Sequence, residues 1–231
     1  MIYITGDTHR DFENVIEFCH LHNTTIDDVL IILGDVGLNY YLDSSDNKVK
    51  KRVAELPITL FCVRGNHEER PENINTYTTT NFFNGECYLE KQYPNIIFAK
   101  DGEVYTINNK KCIVIGGAYS VDKHYRLLRG WHWFESEQLT NDEMNHIENV
   151  LNVEYNNKID IVLSHTCPYD TRPTHLFMQG LDQSTVDNTM EIWMQKVADN
   201  ISFDKWYFGH FHGDWENGKY EMLYKTIKEF E

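Results

Sequence analysis

The sequence predicts an α/β fold of two mixed sheets with helices on their outer faces. Three observations carry this. Short runs rich in β-branched and aromatic residues recur, and each stops at Gly or a polar residue. Stretches of helical periodicity separate the early runs. The middle of the chain then changes to closely spaced runs joined by hairpin signals.

Taken in order, a strand over 2–5 ends at Gly6-Asp7, and a helix over 11–22 spaces Phe12, Val15, Ile16 and Cys19 helically. A strand over 29–33 ends at Gly34-Asp35. A helix over 46–56 turns Val49, Val53 and Leu56 to one side and most of Lys48, Lys50, Lys51 and Arg52 to the other. A strand over 58–63 runs into Arg64-Gly65-Asn66-His67. This alternation indicates βαβ units and a parallel sheet. Runs over 96–99, 103–107 and 111–115 are separated by Asp101-Gly102 and Asn108-Asn109, which suit hairpins. Thr140 and Glu143 have capping-box spacing at the start of a helix over 140–153. A strand over 159–163 ends at Ser164-His165, and a helix is expected over 187–197. A strand over 206–208 ends at Gly209-His210, and a last one is expected over 219–227. The long loop over 166–187, with Pro168, Pro173 and Gly180, follows a polar strand end and is expected to shape substrate access. No repeat or Pro/Gly/Ser linker interrupts the chain, so one domain over 1–231 is expected.

Composition bounds the function. The formal net charge is −15, which argues against an extended nucleic-acid surface. It leaves room for a small phosphorylated substrate or a phosphoprotein, because bound cations would offset the charge locally. Cys19, Cys62, Cys87, Cys112 and Cys167 are odd in number and form no CxxC, so neither a disulfide framework nor a zinc ribbon is indicated. No leader pattern and no membrane-length apolar run are read, and a reducing cytoplasm fits best. Oligomeric state is left open.

The chemistry lies in the strand ends. Ligands of open α/β sheets bind beyond the carboxyl ends of strands. Five ends deliver Asp7 and His9, Asp35, Asn66 and His67, His165, and His210 and His212. Imidazole and oxygen donors without thiolate suit Mn, Fe, Zn, Ni or Co. Two ions about 3.5–4 Å apart are a known solution for phosphoryl chemistry. Asp35, with two oxygens to share, is the natural bridge.

Gly6-Asp7-Thr8-His9, Gly34-Asp35, Gly65-Asn66-His67-Glu68, Ser164-His165 and Gly209-His210-Phe211-His212 together resemble the motifs of calcineurin-like metallophosphoesterases. The resemblance spans residues 6 to 212 in the family's order. It implies a four-layer α/β/β/α sandwich with a dimetal site at the strand C-terminal ends. It implies one divalent transition ion, manganese first, held by Asp7, His9, Asp35 and His212. The second would be held by Asp35, Asn66, His165 and His210. His67 would stand off the metals and face the leaving group as catalytic acid or hydrogen-bond donor.

Three positions depart from the pattern of the protein Ser/Thr phosphatases in this superfamily. Leu38 stands where an Asp would orient the catalytic His, Asn39 where an Arg would bind phosphate, and Arg10 where the first block has Gly. The reading is therefore a phosphoesterase, leaning to phosphomonoesters, with in-line attack by a metal-bridging hydroxide. The rivals are a phosphodiesterase of small or cyclic nucleotides and a non-catalytic metal-binding scaffold.

Several residues have two readings. Arg64 is either a phosphate contact or a buried ion-pair partner. Arg126 and Arg129, with Lys123, are either the missing phosphate clamp or a solvated basic face, and the solvated face is favoured. Trp131, His132 and Trp133 either line an aromatic pocket or pack in the core, and core packing is favoured. Glu68 is expected to cap the turn that follows it.

Overall fold

The computed structural model describes residues 1–177 and 183–231; Gly180 of the expected access loop lies outside them. One sheet holds β1 (Ile2–Thr5), β2 (Val29–Leu33), β3 (Thr59–Val63), β4 (Tyr77–Phe82), β5 (Gly85–Glu90) and β6 (Ile96–Ala99). The other holds β7 (Val104–Ile107), β8 (Lys110–Ile115), β9 (Ile161–Ser164), β10 (Lys205–Phe208), β11 (Trp215–Asn217) and β12 (Tyr220–Met222). The last strand, β13 (Lys228–Glu229), crosses back to edge the first sheet. The orders are β13-β1-β2-β3-β6-β5-β4 and β11-β12-β10-β9-β8-β7. In each, four central strands run parallel and the outer ones antiparallel, so both sheets are mixed.

Strand periodicity builds the layers. Ile31 and Leu33 of β2 point inward to meet Val114, Ile161 and Leu163 of the opposite sheet. Their neighbours Leu30 and Ile32 point outward, under α1 (Glu13–His22) and α2 (Ser44–Ala54), against Phe12, Val15, Cys19 and Val53. The second sheet turns Ile113, Ile115, Val162, Trp206 and Phe208 outward. A short α3 (Lys123–Arg129) lies off the layers, and α4 (Asn141–Asn149) and α5 (Thr189–Asn200) cover that outer face through Met144, Ile147, Trp193 and Met194. The result is the four-layer α/β/β/α sandwich with two buried faces per sheet. Strands buried on both faces read as continuous apolar runs, which is why they were legible.

The differences from expectation have physical causes. The β4–β5 hairpin has no such run: its first strand is a half-exposed edge rich in Thr, and Phe83 and Asn84 form its turn with φ of 53° and 63°. The strand expected over 219–227 breaks into β12 and β13 because the chain leaves one sheet to edge the other. The helix expected over 140–153 keeps its capping box, then widens into a π-helical turn at Val150–Glu154. Among the described residues no helix is long and apolar enough to cross a membrane.

Candidate metal centre

Five strand ends meet at one rim that straddles both sheets. Asp7 and His9 follow β1, Asp35 follows β2, and Asn66 and His67 follow β3. From the second sheet, His165 follows β9, and His210 and His212 follow β10. Backbone bonds lock these ends together. His9 N–H donates to Asp35 O at 2.8 Å, Gly209 N–H to His165 O at 2.9 Å, and His165 N–H to Ile115 O at 3.1 Å. His9, Asp35, His210 and His212 all hold left-handed backbone, with φ of 47°, 45°, 68° and 54°. A non-glycine residue adopts that region at a cost, and such residues cluster where surrounding structure enforces them.

Glycines make the closeness possible. A Cβ at Gly34 would lie 2.1 Å from His165 Nδ1, at Gly65 2.0 Å from Asp35 Oδ1, and at Gly209 2.3 Å from Asp7 Oδ1. Each of these glycines precedes one candidate ligand and leaves room for another from a different strand.

The carboxylates sit at the centre. Asp7 Oδ1 accepts from His210 N–H at 2.9 Å, while Oδ2 is buried with no hydrogen-bond partner. That Oδ2 lies 3.6 Å from His9 Nε2 and 3.3 Å from His212 Nε2, and the two imidazole nitrogens are 2.8 Å apart. Asp35 Oδ1 accepts from His67 N–H at 2.8 Å. Its Oδ2 lies 3.9 Å from His9 Nδ1 and 3.7 Å from His165 Nε2. Donor atoms converge within 4.8 Å in two groups, Asp7–His9–His212 and Asp7–Asp35–His165. Asp7 is common to both groups, and Asp35 Oδ2 faces a histidine from each. The His210 ring stands 5.0 Å from that of His165.

The donor chemistry fits a cation. His165 Nδ1 donates to Leu33 O at 2.7 Å, which turns Nε2 toward the rim. Asn66 Nδ2 donates to Ser120 Oγ at 2.8 Å, which turns its Oδ1 toward His165 Nε2, 2.8 Å away. A contact this short is bridged by a ring proton or by a cation that both atoms face, and a divalent ion would take the second role.

The electrostatics agree. Burial alone would raise Asp7, but His165, His212 and His9 hold it below the usual carboxylate range. Asp35 is also lowered: burial opposes this, and His165 and His67 prevail. His210 is pushed down to about 3 by burial and by His165, so its imidazole is neutral and able to ligate.

Glu68 acts backward rather than forward. Its fully buried carboxylate accepts from the backbone N–H of Val36 (3.4 Å), Gly37 (3.2 Å) and Gly65 (3.0 Å), which ties the β2 and β3 ends together. Burial and the nearby Asp35 charge push it up to about 7. Ser120 was missed by the sequence reading. It follows β8, a sixth strand end at the rim that carries no His or Asp, and that position was the available signal. Its hydroxyl accepts from Asn66 Nδ2 and so fixes the ligand amide.

The arginines separate. Arg64 is 2% exposed and bonds Asp101 at 3.0 Å and the carbonyls of Gly65 and Glu137; it is the ion-pair partner, and it offers a phosphate no surface. Arg129 stacks on Tyr125 and does not line the cleft beside the rim. Arg126 does line it. Its Nε donates to Asp122 at 2.8 Å, its Nη1 to Tyr40 Oη at 3.2 Å and its Nη2 to His67 Nε2 at 3.1 Å. His67 thus meets a guanidinium donor where no Asp at 38 is available to accept from it. Leu38 itself is core, and Asn39 Oδ1 accepts from Tyr77 Oη at 2.9 Å. His67 is lowered, first by burial and then, against Asp35, by Arg126. The cleft, of about 210 Å³, is also lined by Tyr40, Tyr41 and Trp131. Trp131 is therefore a cleft residue and not core, His132 packs against both tyrosines, and Trp133 lies under Lys123.

A family model described as calcineurin-like phosphoesterase matches residues 1–214. TT1561 of Thermus thermophilus superposes with a TM-score of 0.51 at 13% identity, covering 96% of this chain and 87% of that one. Another solved structure superposes with a TM-score of 0.54, also at 13% identity, covering 96% and 88%. At that identity the likeness shows the fold. No curated protein matches the chain significantly.

Proposed function

We propose, from the premise that this chain belongs to the calcineurin-like phosphoesterase family and is a metal-dependent phosphoester hydrolase, that it acts on phosphomonoesters. The observation that carries the metal half of this reading is the buried, unpartnered Asp7 Oδ2, with His9 Nε2 at 3.6 Å and His212 Nε2 at 3.3 Å and the Asp35–His165 donors converging beside it. Two divalent ions would supply Lewis-acid polarisation of the phosphate and an activated water. Asp7, His9, Asp35 and His212 would hold one, and Asp35, Asn66, His165 and His210 the other, with Asp35 as the bridge. Manganese suits these oxygen and imidazole donors, as do Fe, Zn, Ni and Co.

The residues outside the ligand set support the monoester. A monoester dianion carries one more charge and one more free oxygen than a diester. Arg126 is fixed by Asp122 through Nε, and its two terminal nitrogens face the cleft, where phosphate oxygens would replace Tyr40 and His67 as partners. Before substrate arrives His67 accepts from Arg126 at Nε2 and is held neutral by burial and by Arg126; once phosphate takes over Arg126, that nitrogen is free to make a hydrogen bond of its own in the cleft. A small phosphorylated substrate suits the cleft volume better than a phosphoprotein. Five free, buried cysteines suit a reducing cytoplasm.

The test is a metal-by-substrate screen. Stripped protein is resupplied with each ion and assayed on p-nitrophenyl phosphate and bis(p-nitrophenyl) phosphate. Faster release from the monoester is expected. Faster release from the diester would overturn the monoester reading in favour of a small-nucleotide phosphodiesterase.

A further inference from the structure

The cleft beside the metal rim has a wall that neither the ligands nor the phosphate clamp accounts for. Among the residues lining it, every apolar group is an aromatic ring: Tyr40, Tyr41 and Trp131, with no Leu, Ile, Val or Met. Trp131 is 51% exposed and Tyr41 44% exposed, so burial of their own surface does not explain their place.

Both sides of the wall are built. Asp46 accepts from the backbone N–H of Tyr41 and Leu42, each at 2.8 Å, and is paired with Arg10. The Arg10 guanidinium lies 4.9 Å over the Tyr41 ring. On the other side, Gly130 with φ of 67° ends α3 and turns the chain, so that Trp131 N–H donates to Arg126 O at 2.9 Å. The Trp131 ring then meets Tyr125 edge-on at 5.5 Å. His132 touches both Tyr40 and Tyr41, at 5.4 and 5.7 Å, and joins the two sides.

We propose that this wall binds a planar aromatic ring carried by the leaving group of the phosphoester. The inference rests on the phosphomonoesterase reading for its phosphate end. An aliphatic chain would be met by aliphatic side chains, which the cleft lacks. Ring faces and a guanidinium stack on another π face instead. The cleft is smaller than the roughly 300–1,000 Å³ of drug-sized pockets, which matches a phosphoryl group and one ring system and not a peptide. A nucleobase and a simple aryl group share this chemistry.

The experiment compares ligands that differ only in the ring. Metal-loaded protein is titrated with non-hydrolysable phosphonate analogues of AMP and of ribose 5-phosphate, and with 2-phenylethyl and 2-cyclohexylethyl phosphonates. The aromatic member of at least one pair should bind about tenfold tighter, the scale of one stacked base. A preference in the first pair alone assigns a nucleobase, and in the second alone a simple aryl group. Trp131→Ala should shrink the preference to within about twofold, and Trp131→Phe should keep most of it. Equal affinity within both pairs, or a preference unchanged in both Trp131→Ala and Tyr41→Ala, overturns the inference. Phosphate release from AMP, ribose 5-phosphate and p-nitrophenyl phosphate is measured separately. Selective binding without release would end the phosphomonoesterase reading and keep this one. Release without selectivity in either pair would do the reverse.

Discussion

The rim and the wall sit side by side and are made in opposite ways. The rim hangs on strand ends, with carboxylates and His165 buried and the backbone bonded across two sheets. The wall rests on a loop after β2 and on the segment from α3 to Phe134, and its rings lean on one another while half exposed. The difference shows where precision is needed. Donor atoms must be held to a fraction of an ångström, and sheet ends do that. A surface that stacks a ring tolerates movement, and a surface segment suffices.

Variants break or sharpen this contrast in decreasing order. His165→Ala should lower activity by about 10³-fold, the upper end of the loss for a single transition-state donor, with a matching fall in bound metal by elemental analysis. Full activity with full metal content would remove His165 from the rim. Arg126→Ala stands at the junction of the two regions. Its kcat/KM on a monoester reporter should fall by about 10²-fold, and Arg126→Lys should recover only part, because the fork is lost. Ser120→Ala tests whether the rim extends behind its ligands. Metal affinity should drop roughly 10–100-fold by competition with a chelator, with activity restored at high metal. Arg129→Ala is the smallest. Lying over Tyr125 on the solvent side, it should change stability by no more than about 0.5 kcal/mol in a thermal melt. A large loss of activity there would mean that the wall is wider than the cleft lining.

The same contrast governs what the sequence disclosed. Rim residues were legible because each follows a doubly buried strand whose apolar run marks its own end, as Val29–Leu33 marks Asp35. Glu68 was visible as a residue but not in its role, since its three backbone partners come from two different loops. The wall was legible only as the less favoured of two readings of Trp131, and its Tyr40–Tyr41 side not at all. Lys123–Arg129 is too short for periodicity to declare a helix, and nothing local to Trp131 says that Tyr40 and Tyr41, some 90 positions earlier, lie opposite. Arg126 and Arg64 look alike in sequence; only the fold makes one a cleft donor and buries the other against Asp101. The β4–β5 hairpin escaped for a third reason, an exposed edge that needs no continuous apolar run.

The glycine slots carry a consequence for anyone who would re-engineer this protein. Because Asp35 fills the space at Gly65, His165 that at Gly34 and Asp7 that at Gly209, the three donors are mortised into one another's backbones. A donor of different length at any one of them displaces the chain that presents the next. Retuning the metal preference by exchanging single donors is therefore a task of moving strands. The wall touches none of these joints, so its rings can be exchanged for others with the joinery left intact.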